Sequence, residues 1–231
     1  MTTLLIATRN AHKVGEIRAI LGEGFQYLTL KDFPAAPNVI EDADTFAGNA
    51  TKKAVELARW LGKTWNLELA TRNAYVLADD SGLEVDALGG KPGVHSARFA
   101  ALDSAQAGNS RDADNNAKLL RLLKEVPLEK RTARFRCVLA VTPVIVGIVE
   151  NASPVCYLDE FELQTTLFEG TCEGRINFAP RGQGGFGYDP LFVPEGFSQS
   201  FAELGAEVKN RLSHRAQALA RLKQHLAHTV S

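Results

Sequence analysis

Cysteine is scarce in this chain: Cys137, Cys156 and Cys172 are the only three among 231 residues. Their number is odd and none stands in the close pairs of a zinc site. A disulfide scaffold is therefore not expected, and a reducing compartment fits best. Long apolar runs are missing too. The most apolar stretch, VLAVTPVIVGIV, is interrupted by Thr142, Pro143 and Gly147 and falls far short of the roughly 20 residues that a membrane span needs. Two short buried strands account for it better. The opening MTTLLIATRNAHK has no basic region leading into a long apolar one, so no secretory signal is apparent. A soluble, cytoplasmic protein is expected. Neither sign of charge dominates: 26 basic against 27 acidic side chains leave a formal charge of −1. No global field draws such a chain to nucleic acid or to an anionic membrane, and neither partner is expected.

Two further absences narrow the reading. There is no Walker A sequence and no G-x-G-x-x-G after the first strand, so any phosphate binding must use another architecture. No Pro- or Ser-rich linker divides the 231 residues, a length at the upper end of what one core holds. The expectation is a single domain over residues 1–231. A hydrophobic fraction of 45% suffices for an extensive core. The pentapeptide ATRNA occurs at 7–11 and again at 70–74, but the flanks differ and no architectural repeat follows.

What is present reads as alternating elements. TLLIAT is a short buried strand, followed by a helix over NAHKVGEIRAILG in which Val14, Ile17, Ile20 and Leu21 share a face and Gly22 supplies a stop. FQYLTL is a second strand. Phe46, Ala50, Ala54, Leu57, Ala58 and Leu61 recur at helical spacing from Thr45 to Leu61, and residues 74 to 78 form another strand. A helix over 112–124 is built on Leu119, Leu120 and Leu123. Strands dominate from about 133 to 169, and a helix over about 214–227 closes the chain. Early alternation with later runs of strands predicts an α/β fold with a mixed sheet.

Five stretches carry chemistry. In YVLADDSGLEV an apolar run delivers Asp79 and Asp80 side by side and then Ser81 and Gly82. Asp, Ser and Gly favour a turn; a divalent metal would equally make close carboxylates favourable. In LLIATRNAHK a strand, a tight connection and a helix aim backbone N–H groups at an anion, with Thr8, Asn10 and Lys13 in reach. The plainer alternative has Asn10 capping the helix and Lys13 in solvent. In EDADTFAGNATKKA, Glu41, Asp42 and Asp44 suit a helix N-terminus; Glu41 could instead bind metal, with Lys53 on the helix flank reaching phosphate. PRGQGGFGYDPLF carries Phe186, Tyr188 and Asp189 on a glycine-rich loop that could stack and read a base, or simply pack the core. In KNRLSHRAQAL, Ser213 is a good N-cap, which puts His214 and Arg215 in a first helical turn. Cations there oppose the helix dipole, so they either face an acceptor or lie on a solvated basic face.

Taken in order, ATRNAHK, TFAGNATKKA, ADDSGLEVDALGGKPGVHSARF, DADNNAKLL, RFRCVLA, GGFGYDPLF and SHRAQAL resemble the inosine triphosphate pyrophosphatase family, also called Ham1-like. The matches run from Leu4 to Leu219. The resemblance implies an α/β fold with a long mixed sheet flanked by helices, two lobes around a nucleotide cleft, and a homodimer. It implies Mg²⁺-dependent cleavage of ITP, dITP and XTP to the monophosphate and pyrophosphate. By matching motif, Thr8, Arg9, Asn10, Ala11, His12, Lys13 and Lys53 would hold the triphosphate, with Lys13 and Lys53 assisting catalysis. Glu41 and Asp80 would engage the metal, Asp80 would serve as general base, and Ser81 would contact substrate. Phe186, Gly187, Tyr188, Asp189, Lys209, His214 and Arg215 would form the base pocket. Related alternatives are a pyrophosphatase of pyrimidine or modified triphosphates and a nucleotide-binding protein that no longer hydrolyses. Two positions depart from the family pattern. Arg9 stands where Gly or Ser is usual, and Gly48 replaces an acid at a cost of about 1 kcal/mol in helix stability against Ala. The stretches 62–73 and 150–166 look longer than is typical.

Overall fold

Thr2–Ile6, the first apolar run, forms strand β1 and is followed by helix α1, Ala11–Leu21. In the computed structural model, residues 2–64, 73–103, 108–145 and 160–229 are described, with backbone alone at 160 and 227–229. Ile17 and Leu21 are the buried face of α1, and Gly22 takes its C-cap at φ 78°, which only a residue without Cβ adopts cheaply. Strand β2 is Phe25–Thr29, helix α2 is Phe46–Thr64, strand β3 is Ala74–Val85 and helix α3 is Asp112–Leu122. Strand β4 (Thr132–Pro143), the short helix α4 (Glu160–Leu163), strands β5 (Thr166–Ile176) and β6 (Phe192–Pro194), and helices α5 (Phe201–Leu212) and α6 (His214–Thr229) complete the order.

The six strands form one sheet in the order β2-β1-β3-β4-β5-β6. β1 runs parallel to both β2 and β3, and β5 runs antiparallel to β6, so the sheet is mixed. This agrees with the α/β expectation. Among the described residues, no helix is long and apolar enough to cross a membrane. Cys137 and Cys172 are buried and in no disulfide, while Cys156 and the last four residues of VLAVTPVIVGIV lie outside the described residues. So do most of 62–73 and 150–166.

One expectation fails. Asp79–Gly82 is not a turn, because β3 continues straight through it to Val85. The local preference of DSG for turns yields to pairing: β3 lies between β1 and β4 in the sheet, and Leu83 and Val85 beyond the acids are fully buried. Continuing the strand keeps the backbone groups of this interior segment hydrogen-bonded.

The chain divides into two compact units. One comprises Met1–Asp80, Val138–Phe168 and Leu219–Ser231, and its buried apolar residues include Leu4, Leu5, Ile6, Ile17, Leu57, Leu61 and Leu77. The other comprises Ser81–Cys137 and Glu169–Ala218. Its core gathers Leu83, Val85, Leu119, Leu123, Phe135, Phe192 and Phe201, with the Phe135 and Phe192 rings 4.7 Å apart. Arg131 is also buried in this unit, 2% exposed. Its guanidinium donates to the carbonyls of Leu123 (2.6 Å), Val126 (2.9 Å) and Asn177 (3.1 Å) and lies 4.0 Å from the Phe178 ring centroid. Leu123 is the C-cap of α3, so the cation sits where the helix dipole is negative.

Candidate active site

In the first unit the connection after β1 is a built turn. Thr8 Oγ1 accepts the Asn10 N–H at 3.2 Å, and Asn10 Oδ1 accepts the His12 and Lys13 N–H groups at 2.9 and 3.3 Å. Asn10 is therefore a true N-cap. Lys13 is not in solvent: its ammonium pairs with Asp79, whose side chain is 1% exposed. From α2, Lys53 Nζ donates to the Asp79 carbonyl at 3.1 Å and lies 3.0 Å from Glu41 Oε2. Asn49, one helical turn earlier on the same face, accepts the Ala43 N–H and donates to the Ala43 carbonyl, and its side chain also hydrogen-bonds Asp80. The two adjacent carboxylates are thus divided between different partners.

Asp80 is 7% exposed. Burial pushes its carboxyl up to about 6, against the pull of Lys13 and Lys53 and with a further push from Glu41. A carboxylate poised there suits a general base working near neutrality. Two lysines face three carboxylates, Glu41, Asp79 and Asp80, leaving one net negative charge. That balance would repel a triphosphate, and one divalent cation would invert it. Among the described residues, no three acidic, His or Cys side chains converge as a metal cluster. Mg²⁺ does not need three, since it is commonly held by one or two carboxylates with waters and substrate phosphates. Glu41 and Asp80 fit that pattern.

The Gly48 departure has a packing reason. A Cβ there would stand 2.8 Å from Ala43 Cβ and 3.1 Å from Thr45 Oγ1, so glycine lets the 43–45 segment close on the helix start.

The second unit begins at Ser81, whose Oγ accepts from Arg215 Nη2 at 2.8 Å. Arg215 is 1% exposed, so burial gives this hydrogen bond unusual weight. Ser213 caps α6 by accepting the Ala216 N–H at 3.2 Å. His214 stacks on Phe135 with centroids 4.8 Å apart. The first turn of α6 lies directly on β5 at Gly170, where a Cβ would overlap the His214 carbonyl and stand 2.7 Å from the Ala218 nitrogen. In the GGFGYDP loop, Asp189 Oδ2 accepts the Phe186 N–H at 2.8 Å and the Lys209 ammonium at 2.6 Å. Lys209 Nζ also sits 4.2 Å from the Phe186 ring centroid. Gly185, at φ 75°, must lack a side chain because the folded-back Asp189 carboxylate fills that space. Tyr188 is buried, its hydroxyl donating to the Ser96 carbonyl at 2.9 Å.

A sequence profile of the Ham1 family matches residues 4–225. The chain belongs to the Ham1 family. A dITP/XTP pyrophosphatase of Geobacillus kaustophilus is 46% identical over 225 residues, covering 97% of this chain and 94% of that protein. A dITP/XTP pyrophosphatase of Geobacter sulfurreducens is 46% identical over 227 residues, with 98% and 97% covered. The solved structure of a Ham1 protein from Coxiella burnetii matches with a TM-score of 0.76 at 32% identity, covering 99% of this chain and 100% of that one.

In this Ham1-family chain Lys13, Lys53, Glu41 and Asp80 converge within one unit. Phe186, Asp189 and Lys209 converge within the other, where Arg215 is tied to Ser81. Arg9, Ala11 and His12 are exposed around the start of α1. Sequence reasoning passed over Asn49. Its position four residues before Lys53, inside the matched TFAGNATKKA, was the available signal.

Proposed function

We propose that this chain is a nucleoside triphosphate pyrophosphatase that cleaves the deaminated purine nucleotides dITP, ITP and XTP to the monophosphate and pyrophosphate. The carrying observation is the buried Asp80 set among Lys13, Lys53 and Glu41. The names borne by relatives at 46% identity point to the same activity.

The Asp80 carboxylate takes a proton from a water whose oxygen bonds to the α-phosphorus. The bond from that phosphorus to the bridging oxygen breaks, and pyrophosphate leaves with the electron pair. Lys13 and Lys53 hold the phosphates and offset charge as it grows on the leaving group. Thr8 to His12 shape the loop around the same phosphates, with Arg9 adding a cation. Glu41 and Asp80 would hold Mg²⁺, which when bound supplies charge neutralisation on the phosphate oxygens. Ser81, Phe186 to Asp189, Lys209, His214 and Arg215 would serve the sugar and base. We further read residues 1–231 as one domain whose strands β3 and β4 each contribute to both units. A cytoplasmic homodimer completes the proposal.

Pyrophosphate release across ITP, XTP, dITP, GTP, ATP and dTTP, with Mg²⁺ or with chelator, tests this reading. Release from the first three, lost with chelator, is expected. Preference for dTTP, or no release at all, would overturn it.

Base choice gives a sharper expectation. Hypoxanthine and xanthine offer a 6-oxo acceptor, whereas adenine offers an amino donor, and a pocket of donors rejects the latter strongly. Guanine shares the 6-oxo group. Arg215→Ala is therefore expected to shrink the ITP/ATP ratio of kcat/KM by about tenfold or more and the ITP/GTP ratio much less. A uniform fall with unchanged ratios would assign Arg215 to something other than the 6-oxo edge.

A further inference from the structure

The DADNNAKLL segment has no part in the chemistry above, yet it grips the proposed base loop. Gly187 N–H donates to Asp112 Oδ2 at 2.6 Å, and Gly187 carbonyl accepts from Asn116 Nδ2 at 3.0 Å. Asp112 and Asn116 lie four residues apart on α3, so one helix face holds both polar groups of a single loop residue. The Asn116 amide orientation is not arbitrary, because a carbonyl can only accept. Its own Oδ1 is buried and accepts nothing among the described residues. An amide left half-satisfied in the interior is costly, which makes its one bond to the loop conspicuous.

α3 is well anchored for this task. Leu119 and Leu123 are fully buried, and Asn115 accepts from Ala100 N–H at 2.8 Å and donates to the Ala97 carbonyl at 3.3 Å. Gly187 itself adopts φ 62° although nothing lies within 4 Å of a Cβ built there. Backbone handedness, not lack of space, therefore calls for glycine. Fixing both its N–H and its C=O sets the two peptide planes that flank it. Those planes determine how the Phe186 ring and the Tyr188–Asp189 pair leave the loop.

We propose that Asp112 and Asn116 are positioning residues for base selection, acting through Gly187 without touching substrate. This rests on the reading of Phe186 to Asp189 as the base side of the site. Steady-state kinetics with ITP and ATP on Asp112→Ala, Asp112→Asn, Asn116→Ala and Phe186→Ala test it, each variant's melting temperature being measured alongside. Asp112→Ala and Asn116→Ala should each raise KM for ITP by about five- to tenfold, the net worth of one hydrogen bond, with kcat within about threefold. The ITP/ATP ratio of kcat/KM should contract in step. Asp112→Asn keeps an acceptor for the Gly187 N–H and should stay near the parent. Asp112 is exposed, so Asp112→Ala carries the test even where Asn116→Ala loses its fold. An unchanged ITP/ATP ratio in Asp112→Ala overturns the proposal. If Phe186→Ala contracts the ratio in that event, only the clamp is wrong. If Phe186→Ala also leaves it unchanged, the base-loop reading has failed instead.

Discussion

Asp80→Asn is expected to lower kcat/KM at least a thousandfold while making the metal-free protein more stable at neutral pH. An amide cannot accept the water's proton and is a poor ligand for a hard cation. A thousandfold loss corresponds to about 4 kcal/mol of barrier, and retention of activity within about tenfold of the parent would remove Asp80 from the mechanism. The stability arm follows from burial. The Asp80 carboxyl is raised from 3.8 to about 6 in the folded chain, chiefly because burial disfavours its charged form. Its contribution to stability is thus fully present below pH 3.8 and is lost as pH rises through about 6. At pH 8 the ionised group costs up to about 3 kcal/mol relative to a neutral one. Urea unfolding with chelator present should show Asp80→Asn gaining that much at pH 8 and almost nothing below pH 4. A variant less stable than the parent at pH 8 would mean that its neighbours more than repay the burial.

Arg131→Ala is expected to destabilise the fold by about 3 kcal/mol or more. Among the described residues no carboxylate pairs with Arg131, and its charge is met by three carbonyls and an aromatic face. Truncation leaves the carbonyls of Leu123, Val126 and Asn177 without that donor. It also opens a cavity beside Leu123, which is fully buried. Arg131→Lys should recover little, because one ammonium cannot reproduce a planar fork aimed at three acceptors. The change in urea midpoint at constant slope measures the effect. A loss under about 1 kcal/mol would show that the carbonyls find water instead.

These two residues mark what the sequence makes legible. Asp80, Lys13 and Lys53 stand in motifs whose order alone suggests a phosphate site, and the periodicity of α1 and α2 places the two lysines on the right elements, whereas Asp80, expected in a turn, lies inside β3. The spacing cannot reveal that Lys13 pairs with Asp79, 66 positions away, because that contact depends on β1 and β3 being neighbours in the sheet. The same blindness produced the expected turn at Asp79–Gly82. Residue preferences are local, whereas β3 is held by strands on both sides. β6 went unread because it has three residues, and α5 because Gly205, at φ 78°, breaks its helical pattern. Nothing in the sequence singles out Arg131; only the fold wraps it in carbonyls.

Gly170 bears on how this enzyme could change its tastes. Backbone meets backbone there, so the seat of His214 and Arg215 depends on that one position of β5 having no side chain. A library built to alter base preference can sample the GGFGYDP loop only where backbone shape permits, leaving Gly185 and Gly187 in place. Position 170 should be left out of it, since any side chain there would shift the helix carrying His214 and Arg215, both proposed for the base pocket, and masquerade as a change in specificity.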